Sequence, residues 1–427
     1  MLSEHDNDLI CRVGAGTPMG EVFRRFWIPF LVGSDLPEAH GDPVHVELLG
    51  ENFVAFRDGN GKVGLLDEHC CHRGASLTLG RAESCGIRCI YHGWLFATDG
   101  AVLETPNIAD PEFKTRFKAK AYPVREAGGF LWTYLGSATE APVFPDFPWI
   151  DSAPERRLNT CTILGCNYVQ VMEGLLDGSH LSILHSSVLR AAADNDLPYA
   201  VHSQHMLQEA APRIEAEETD FGLQYATIRM IDGKAETRVV AFISPFYNLH
   251  PHGDLTTAIV PINDTKTAFF NIWWDGEQRF GAEPLRGKQN AMIGTSDEEQ
   301  DMQGLSLKTF DTGRHPSRAN RYRQNRQRMR EGHFSGGETL MMDDVMVAVS
   351  AGPLRARINE HLGSADGAIA QLYRMLLNNA RSVRAGGKAI GEGMSVAGIA
   401  ARRATLEPGT DWRVIAPRQK STGAVAA

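Results

Sequence analysis

Apolar positions in this chain follow two kinds of pattern. Short runs and alternations at strand spacing fill residues 40–148 and 200–275, and helix-forming stretches occupy 166–190 and 340–383. In the first β-rich stretch VHVELLG, ENFVAFRD and KVGLLDEH read as strands, with Asp58-Gly59-Asn60-Gly61 as a turn between the last two. GWLFATDG followed by AVLE predicts a hairpin with Asp99-Gly100 at its tip, and AYPVREAGGFLWTYLG supplies two closing strands. The run Ala141-Pro142-Val143-Phe144-Pro145-Asp146-Phe147-Pro148 marks a boundary. Past it, LQYATIRM, TRVVAFISP, LTTAIVPI and KTAFFNIWW predict a second set of strands. Residues 285–340 are polar and predict loops, and the tail from Lys420 predicts disorder. Near the start, Thr17-Pro18 predicts a helix with Thr as N-cap, and MGEVFRRFWIPF one or two helical turns ending near Pro29. The chain therefore reads as α+β in three parts: a lead-in over 1–39, a small β domain over 40–148 and a mixed domain over 149–427.

Composition narrows the partners. A length of 427 residues suits two or three domains, and 43% hydrophobic with 22% charged residues is ordinary for a globular enzyme. A net charge of −9 argues against nucleic acid. The seven arginines between Arg314 and Arg330 read as a solvated face or an inter-subunit salt-bridge segment. No apolar run reaches membrane-span length, so no membrane is expected, and MLSEHDND lacks the features of a signal peptide. Seven clustered cysteines, an odd number, suit a reducing cytoplasm with thiolates free for metal. Gly14, Gly16 and Gly20 are wrongly spaced for a phosphate loop, and no dinucleotide-binding unit is present. Electrons for any redox chemistry would then come from a separate reductase.

The chemistry concentrates in HCCHRGASLTLGRAESCGIRCIYHGWLF. Cys70-x-His72, a sixteen-residue spacer and Cys89-x-x-His92 place one thiolate and one imidazole on each of two hairpin-like tips. That donor set serves a [2Fe–2S] cluster with two Cys on one iron and two His on the other. It also serves a Cys2His2 zinc site, and Cys70, Cys71, His72, Cys85, Cys89 and His92 are all candidates. Gly74 and Gly93 follow the two pairs and allow backbone N–H groups to approach cluster sulfurs. A second candidate lies in EGLLDGSHLSILH. His180 and His185 are five apart, which on a regular helix turns them about 140° from each other, so sharing a metal requires a local distortion such as a π-bulge. Asp343 and Asp344 open an apolar helix, where one carboxylate facing inward is costly unless a metal binds it. Taken alone, the pair reads first as ordinary surface or core histidines, and adjacent aspartates near a helix start are common caps.

CxHRGASL…GR…CxYHGW resembles the Rieske domain of ring-hydroxylating oxygenases. The resemblance implies Cys70 and Cys89 on one iron, His72 and His92 on the other, and Cys71 and Cys85 outside the ligand set. Asp177-x-x-His180-x4-His185, together with D-x7-GP-x3-R-x2-E-x-LG-x-x-D, resembles the phthalate-dioxygenase-like branch, as do RVGAGTPMGE…RRFWIPF and NRYRQNRQRMREGHFSG. It implies an Fe(2+) site of two histidines and one carboxylate: His180, His185 and, eight residues before Gly352, Asp344 rather than Asp343. Where the family carries Gln before that aspartate, this chain has Asp343. Asp177 takes the family's bridging place, between a cluster-ligand His of one subunit and an iron-ligand His of the next, which implies a homotrimer or a multiple of it. The implied fold is a small β Rieske domain plus a catalytic domain with a curved antiparallel sheet wrapped on helices in helix-grip manner. The implied activity is that of a terminal oxygenase fed by an NAD(P)H-dependent reductase, with or without a ferredoxin. It would cis-dihydroxylate an aromatic, typically carboxylated, substrate with O2. O-demethylation of a methoxy-aromatic acid is the alternative within the fold, and a Rieske electron-transfer or binding protein the alternative outside it. Arg229 and Arg238, on the second set of strands, are candidates to clamp a carboxylate.

Overall fold

A computed structural model describes residues 2–36, 38–136, 141–193, 197–251 and 255–416, with the side chain of Pro198 left aside. The tail from Lys420 lies outside the described residues. Among the described residues, four antiparallel sheets organise the chain. Two four-stranded sheets build the small β domain: Val44–Leu48, Glu51–Arg57 and Val63–Asp67 with Ala121–Tyr122 in one, and Arg81–Glu83, Gly86–Arg88, Leu95–Phe96 and Val102–Glu104 in the other. Between them sits a core of its own, including Phe56, Leu66, Ile87, Trp94 and Phe96. A third sheet of three strands joins Trp27–Val32 to Phe130–Tyr134 and Val124–Ala127.

The lead-in differs from its sequence reading at this point. Thr17 does cap a helix, accepting from the Gly20 N–H at 3.2 Å, with Pro18 at the first position. That helix, Pro18–Phe23, stops before the expected end, and Trp-Ile-Pro-Phe continues as strand. Pro29 is tolerated because pairing with Phe130–Tyr134 shifts register between Pro29 and Leu31. The helices Glu4–Cys11 and Pro18–Phe23 pack on the distant helix Gly367–Arg384.

The larger domain is built on an eight-stranded sheet. Its long hairpin, Gly222–Ile231 with Lys234–Ile243, turns at Asp232-Gly233, both with positive φ (49° and 75°), as a two-residue turn between twisted strands requires. Tyr247–His250 pairs only the end of Lys234–Ile243, and the late strand Arg402–Leu406 takes up the remaining stretch, Ala235–Val239. The helices Tyr168–Leu175 and Gly367–Arg384 pack on this sheet, and Leu340–Ser350 packs on Tyr168–Leu175. Among the described residues, 285–340 hold three short α-helices, Leu285–Ile293, Asp297–Gln303 and Arg326–Arg330, where loops were expected; capping by Ser296 and Asn325 and left-handed stops at Gly294 and Gly304 make short helices from polar sequence. Five of the seven clustered arginines are exposed, while Arg328 is half-buried and donates to the Gly337 carbonyl at 2.8 Å. Among the described residues no helix is long and apolar enough to cross a membrane.

Candidate metal centres

The two tips of the small domain are built alike. In one, Cys70 N–H donates to Ala75 and Gly74 N–H returns to Cys70, both at 2.9 Å. In the other, Cys89 N–H donates to Trp94 at 2.9 Å and Gly93 N–H to Cys89 at 3.0 Å. Gly74 and Gly93 hold φ of +73° and +77°, a conformation that other residues adopt only at a cost. The sulfurs of Cys70 and Cys89 are buried near each other, and the rings of His72 and His92 lie 4.6 Å apart. His72 stacks on Trp94 at 4.5 Å, and Trp94 is itself held by Asn107 at 2.9 Å. Cys71 and Cys85 point to solvent. Burial pushes the Cys70 thiol up to about 11, with the neighbouring Cys89 adding to it. His92 Nδ1 is buried and has no hydrogen-bond partner among the described residues. Two opposed thiols and an orphaned imidazole nitrogen are the donors a cluster satisfies.

The second centre forms where a helix breaks. Asn167 caps Tyr168–Leu175 and anchors it to the Cys11 and Asp264 carbonyls at 2.9 and 2.7 Å. After Leu176 the chain turns on Asp177, whose Oδ1 accepts from the Ser179 N–H at 2.7 Å and hydroxyl at 2.6 Å. A single 3₁₀ turn, His180–Ser182, follows, and a new helix, Ser186–Ala191, starts after His185. The expected distortion is thus a change of helix, and no π-bulge is needed to bring the imidazoles together. Their rings lie 5.2 Å apart. Ligand atoms of His180, His185 and Asp344 lie within 4.8 Å of one another. The Nε2 atoms of His180 and His185 stand 3.7 and 3.1 Å from Asp344 Oδ1.

Each imidazole has a carboxylate behind it. His180 Nδ1 is 3.5 Å from Asp177 Oδ2, and His185 Nδ1 is 3.2 Å from Asp343 Oδ2. Asp343 is fully buried and also accepts from the Ser335 hydroxyl at 2.6 Å. Gly337 leaves room for this: a Cβ there would stand 2.0 Å from Asp343 Oδ1. Asp343 is the residue whose role sequence reading missed, because adjacent aspartates read only as rivals for one ligand position. Burial lowers the His185 pKa, but Asp344 and Asp343 outweigh it and push it up to about 9. Burial raises Asp177, yet His180 and the Ser179 bonds hold it at about 2. The site thus demands positive charge, and its donors are those of a 2-His-1-carboxylate metal.

Cavities open on both sides of this wall. One, of about 500 Å³, is bordered by Asp177, His180 and Asp344 and by the polar residues Glu173, Arg355, Glu360 and His361. The other lies between helices and sheet, against His180, His185 and Asp344, and is lined by Tyr199, Phe269, Leu255, Trp273, Asn271 and Arg238. Of the two arginines singled out in the sequence, Arg238 borders this inner cavity. Arg229 does not; it donates to the Gly178 carbonyl at 2.7 Å and the Glu209 carbonyl at 2.9 Å, fixing the turn that carries Asp177 and His180. Gly178 in turn has no space for a side chain, with Thr227 Oγ1 2.3 Å from where its Cβ would be.

Residues 26–123 match the family described as Rieske [2Fe-2S] domain, and residues 133–426 match LigXa C-terminal domain like. The phthalate 4,5-dioxygenase oxygenase subunit of Pseudomonas putida is 34% identical over 97% of this chain and 94% of its own length. The 5,5'-dehydrodivanillate O-demethylase oxygenase subunit of Sphingobium sp. (strain NBRC 103272 / SYK-6) is 37% identical over 54% of this chain and 52% of its own. Among solved structures, the terminal oxygenase of carbazole 1,9a-dioxygenase from Novosphingobium sp. KA1 superposes with a TM-score of 0.53 at 20% identity, covering 88% of this chain and 95% of that one. NdmA of Pseudomonas putida CBB5 gives 0.56 at 18% identity, over 92% and 99%. These structural likenesses show the fold. The chain belongs to the Rieske non-heme iron ring-hydroxylating oxygenases. Within them it is an oxygenase (alpha) subunit of the phthalate-dioxygenase-like branch. It is an enzyme of electron transfer and oxygenation whose cofactors are a [2Fe–2S] cluster and mononuclear Fe(2+), which sets aside the zinc and the electron-transfer-only readings.

Proposed function

We propose that this oxygenase cis-dihydroxylates a carboxylated aromatic substrate at an iron held by His180, His185 and Asp344. The observation that carries the proposal is the shared wall: the three donors border the same cavity as the Arg238 side chain. A guanidinium in an apolar cavity binds a carboxylate strongly and directionally, and so orients the ring against the metal. Tyr199, Phe269 and Trp273 enclose the ring and exclude water. Asp343 holds the Nδ1 proton of His185, which keeps Nε2 free to coordinate. Cys70, His72, Cys89 and His92 hold the cluster. When bound, the cluster supplies single electrons and the iron supplies activation of O2.

Asp177 faces both cavities. We read it as the bridge between subunits, orienting His180 on one side and, across the outer cavity, accepting the proton of a cluster-ligand imidazole from a neighbouring copy. Such a bridge implies cyclic assembly, a homotrimer or a multiple of it. The cluster domain spans 40–148 with the lead-in 1–39 ahead of it, and the catalytic domain 149–427; the separate core of the small sheets supports the division. A separate NAD(P)H-dependent reductase delivers the electrons, directly or through a ferredoxin; a similarly folded oxygenase is known in complex with a ferredoxin. The free cysteines favour the cytoplasm.

Metal analysis of His180→Ala tests the iron assignment. Mononuclear iron and turnover are lost while the cluster's spectrum persists. Full iron retention in that variant contradicts the assignment.

A further inference from the structure

On the far side of Arg238 lies a cavity of about 300 Å³ that the oxygenase reaction does not use. Three arginines line it: Arg229, Arg238 and Arg403. Arg238 and Arg403 are direct partners across antiparallel strands, so two guanidinium groups stand side by side on one face of the sheet. Like charges in that register repel and destabilise the pairing. Glu236 is the single carboxylate among the described lining residues, and it is engaged already, by the Thr405 hydroxyl and by His205 Nδ1 at 3.7 Å. The described lining residues thus include three arginines and one carboxylate, with Glu209 beside Arg229 just outside the lining.

Arg229 makes the second observation. It is 2% exposed, and its Nε and Nη2 are used on the Glu209 and Gly178 carbonyls. Its Nη1 is buried with no partner among the described residues, as is Nδ1 of the neighbouring His202. A buried guanidinium N–H without an acceptor costs free energy, and a small shift of the Arg229 side chain toward the cavity would let an anion recover it.

We infer that this cavity is an oxyanion-binding site, separate from the iron, with Arg229 at its base, Arg403 at its mouth and His202 at its side. It takes a small oxyanion, either inorganic or the carboxylate of an aromatic acid. The inference does not depend on which substrate is oxidised, because binding is read without turnover.

The test uses the full-length, metal-loaded protein. Sulfate is titrated calorimetrically in chloride-free buffer, and crystals soaked in selenate are read by anomalous scattering. Saturable sulfate binding with a selenate peak between Arg229, Arg403 and His202 is expected. The exposed Arg403→Gln variant should weaken sulfate about tenfold, the loss of one charge-assisted contact. Arg402→Gln, its exposed neighbour outside the cavity, should leave binding unchanged. Displacement of sulfate by benzoate marks an aromatic carboxylate as the natural occupant, and its failure to displace marks an inorganic anion. Absence of saturable binding, or equal weakening in Arg402→Gln and Arg403→Gln, overturns the inference.

Discussion

At the scale of single residues, this site is a set of carboxylates with different tasks. Asp344 turns toward both Nε2 atoms, while Asp343, one position earlier, is buried behind His185. Successive residues on a helix point about 100° apart, so neighbouring aspartates can serve opposite faces of one imidazole. Asp343→Asn keeps the volume but replaces a charged acceptor. Iron affinity should fall about 10–100-fold, as for other groups that orient a metal-ligating histidine, read by competition with a chelator; unchanged affinity would contradict the role. Gly337→Ala should act on the same carboxylate by collision. The residues we propose as metal donors could be picked from the sequence because ligand geometry forces short, recurrent spacings, as in Cys70-x-His72 and His180-x4-His185. The supporting contacts were not: Ser335 reaches Asp343 through folding, and no spacing announces it.

Elements carry the next layer. The β hairpins of the small domain were readable because alternation and Asp-Gly turns are local signals, as at Asp99-Gly100. The Trp27–Val32 strand was not, since its apolar run and preceding cap read as helix until Phe130–Tyr134 paired with it. The break that unites His180 and His185 is likewise held from outside, by Arg229 on the Gly178 carbonyl. A buried ion pair secures the helix before that break. Arg357, with a fully buried side chain, binds Glu173, and also donates to Asn7 Oδ1 at 3.0 Å, while the Tyr373 hydroxyl donates to Glu173 at 2.7 Å. One pair thus ties the helices Glu4–Cys11, Tyr168–Leu175 and Gly367–Arg384 together. Removing Arg357 alone leaves the buried Glu173 carboxylate with, among the described residues, only Arg355 at 3.5 Å and the Tyr373 hydroxyl, so Arg357→Met should destabilise by up to about 3 kcal/mol, measured by denaturant unfolding. Adding Glu173→Gln should restore part of that loss; a double variant worse than the single one would contradict it.

For the whole molecule, His180 and Asp344 border two cavities, one facing the sheet interior and one facing outward beside Asp177. The outward face is where a neighbouring copy's cluster would approach. Asp177→Asn should keep the cluster spectrum and iron content yet slow reoxidation of the reduced cluster sharply in a single turnover. Loss of iron instead would make Asp177 a merely structural support, and a monomer with full activity would contradict the bridge between subunits. The most direct measurement is turnover under ¹⁸O₂ with a surrogate reductase, offering benzoates, phthalate isomers and methoxybenzoates and reading products by mass spectrometry. A carboxylated ring should gain both labelled oxygens and two hydrogens, with Arg238→Met abolishing the preference for the acid. Release of formaldehyde from a methoxy acid would replace dihydroxylation by O-demethylation. A metal-loaded, reducible protein that leaves every aromatic acid unlabelled would contradict the proposed substrate class.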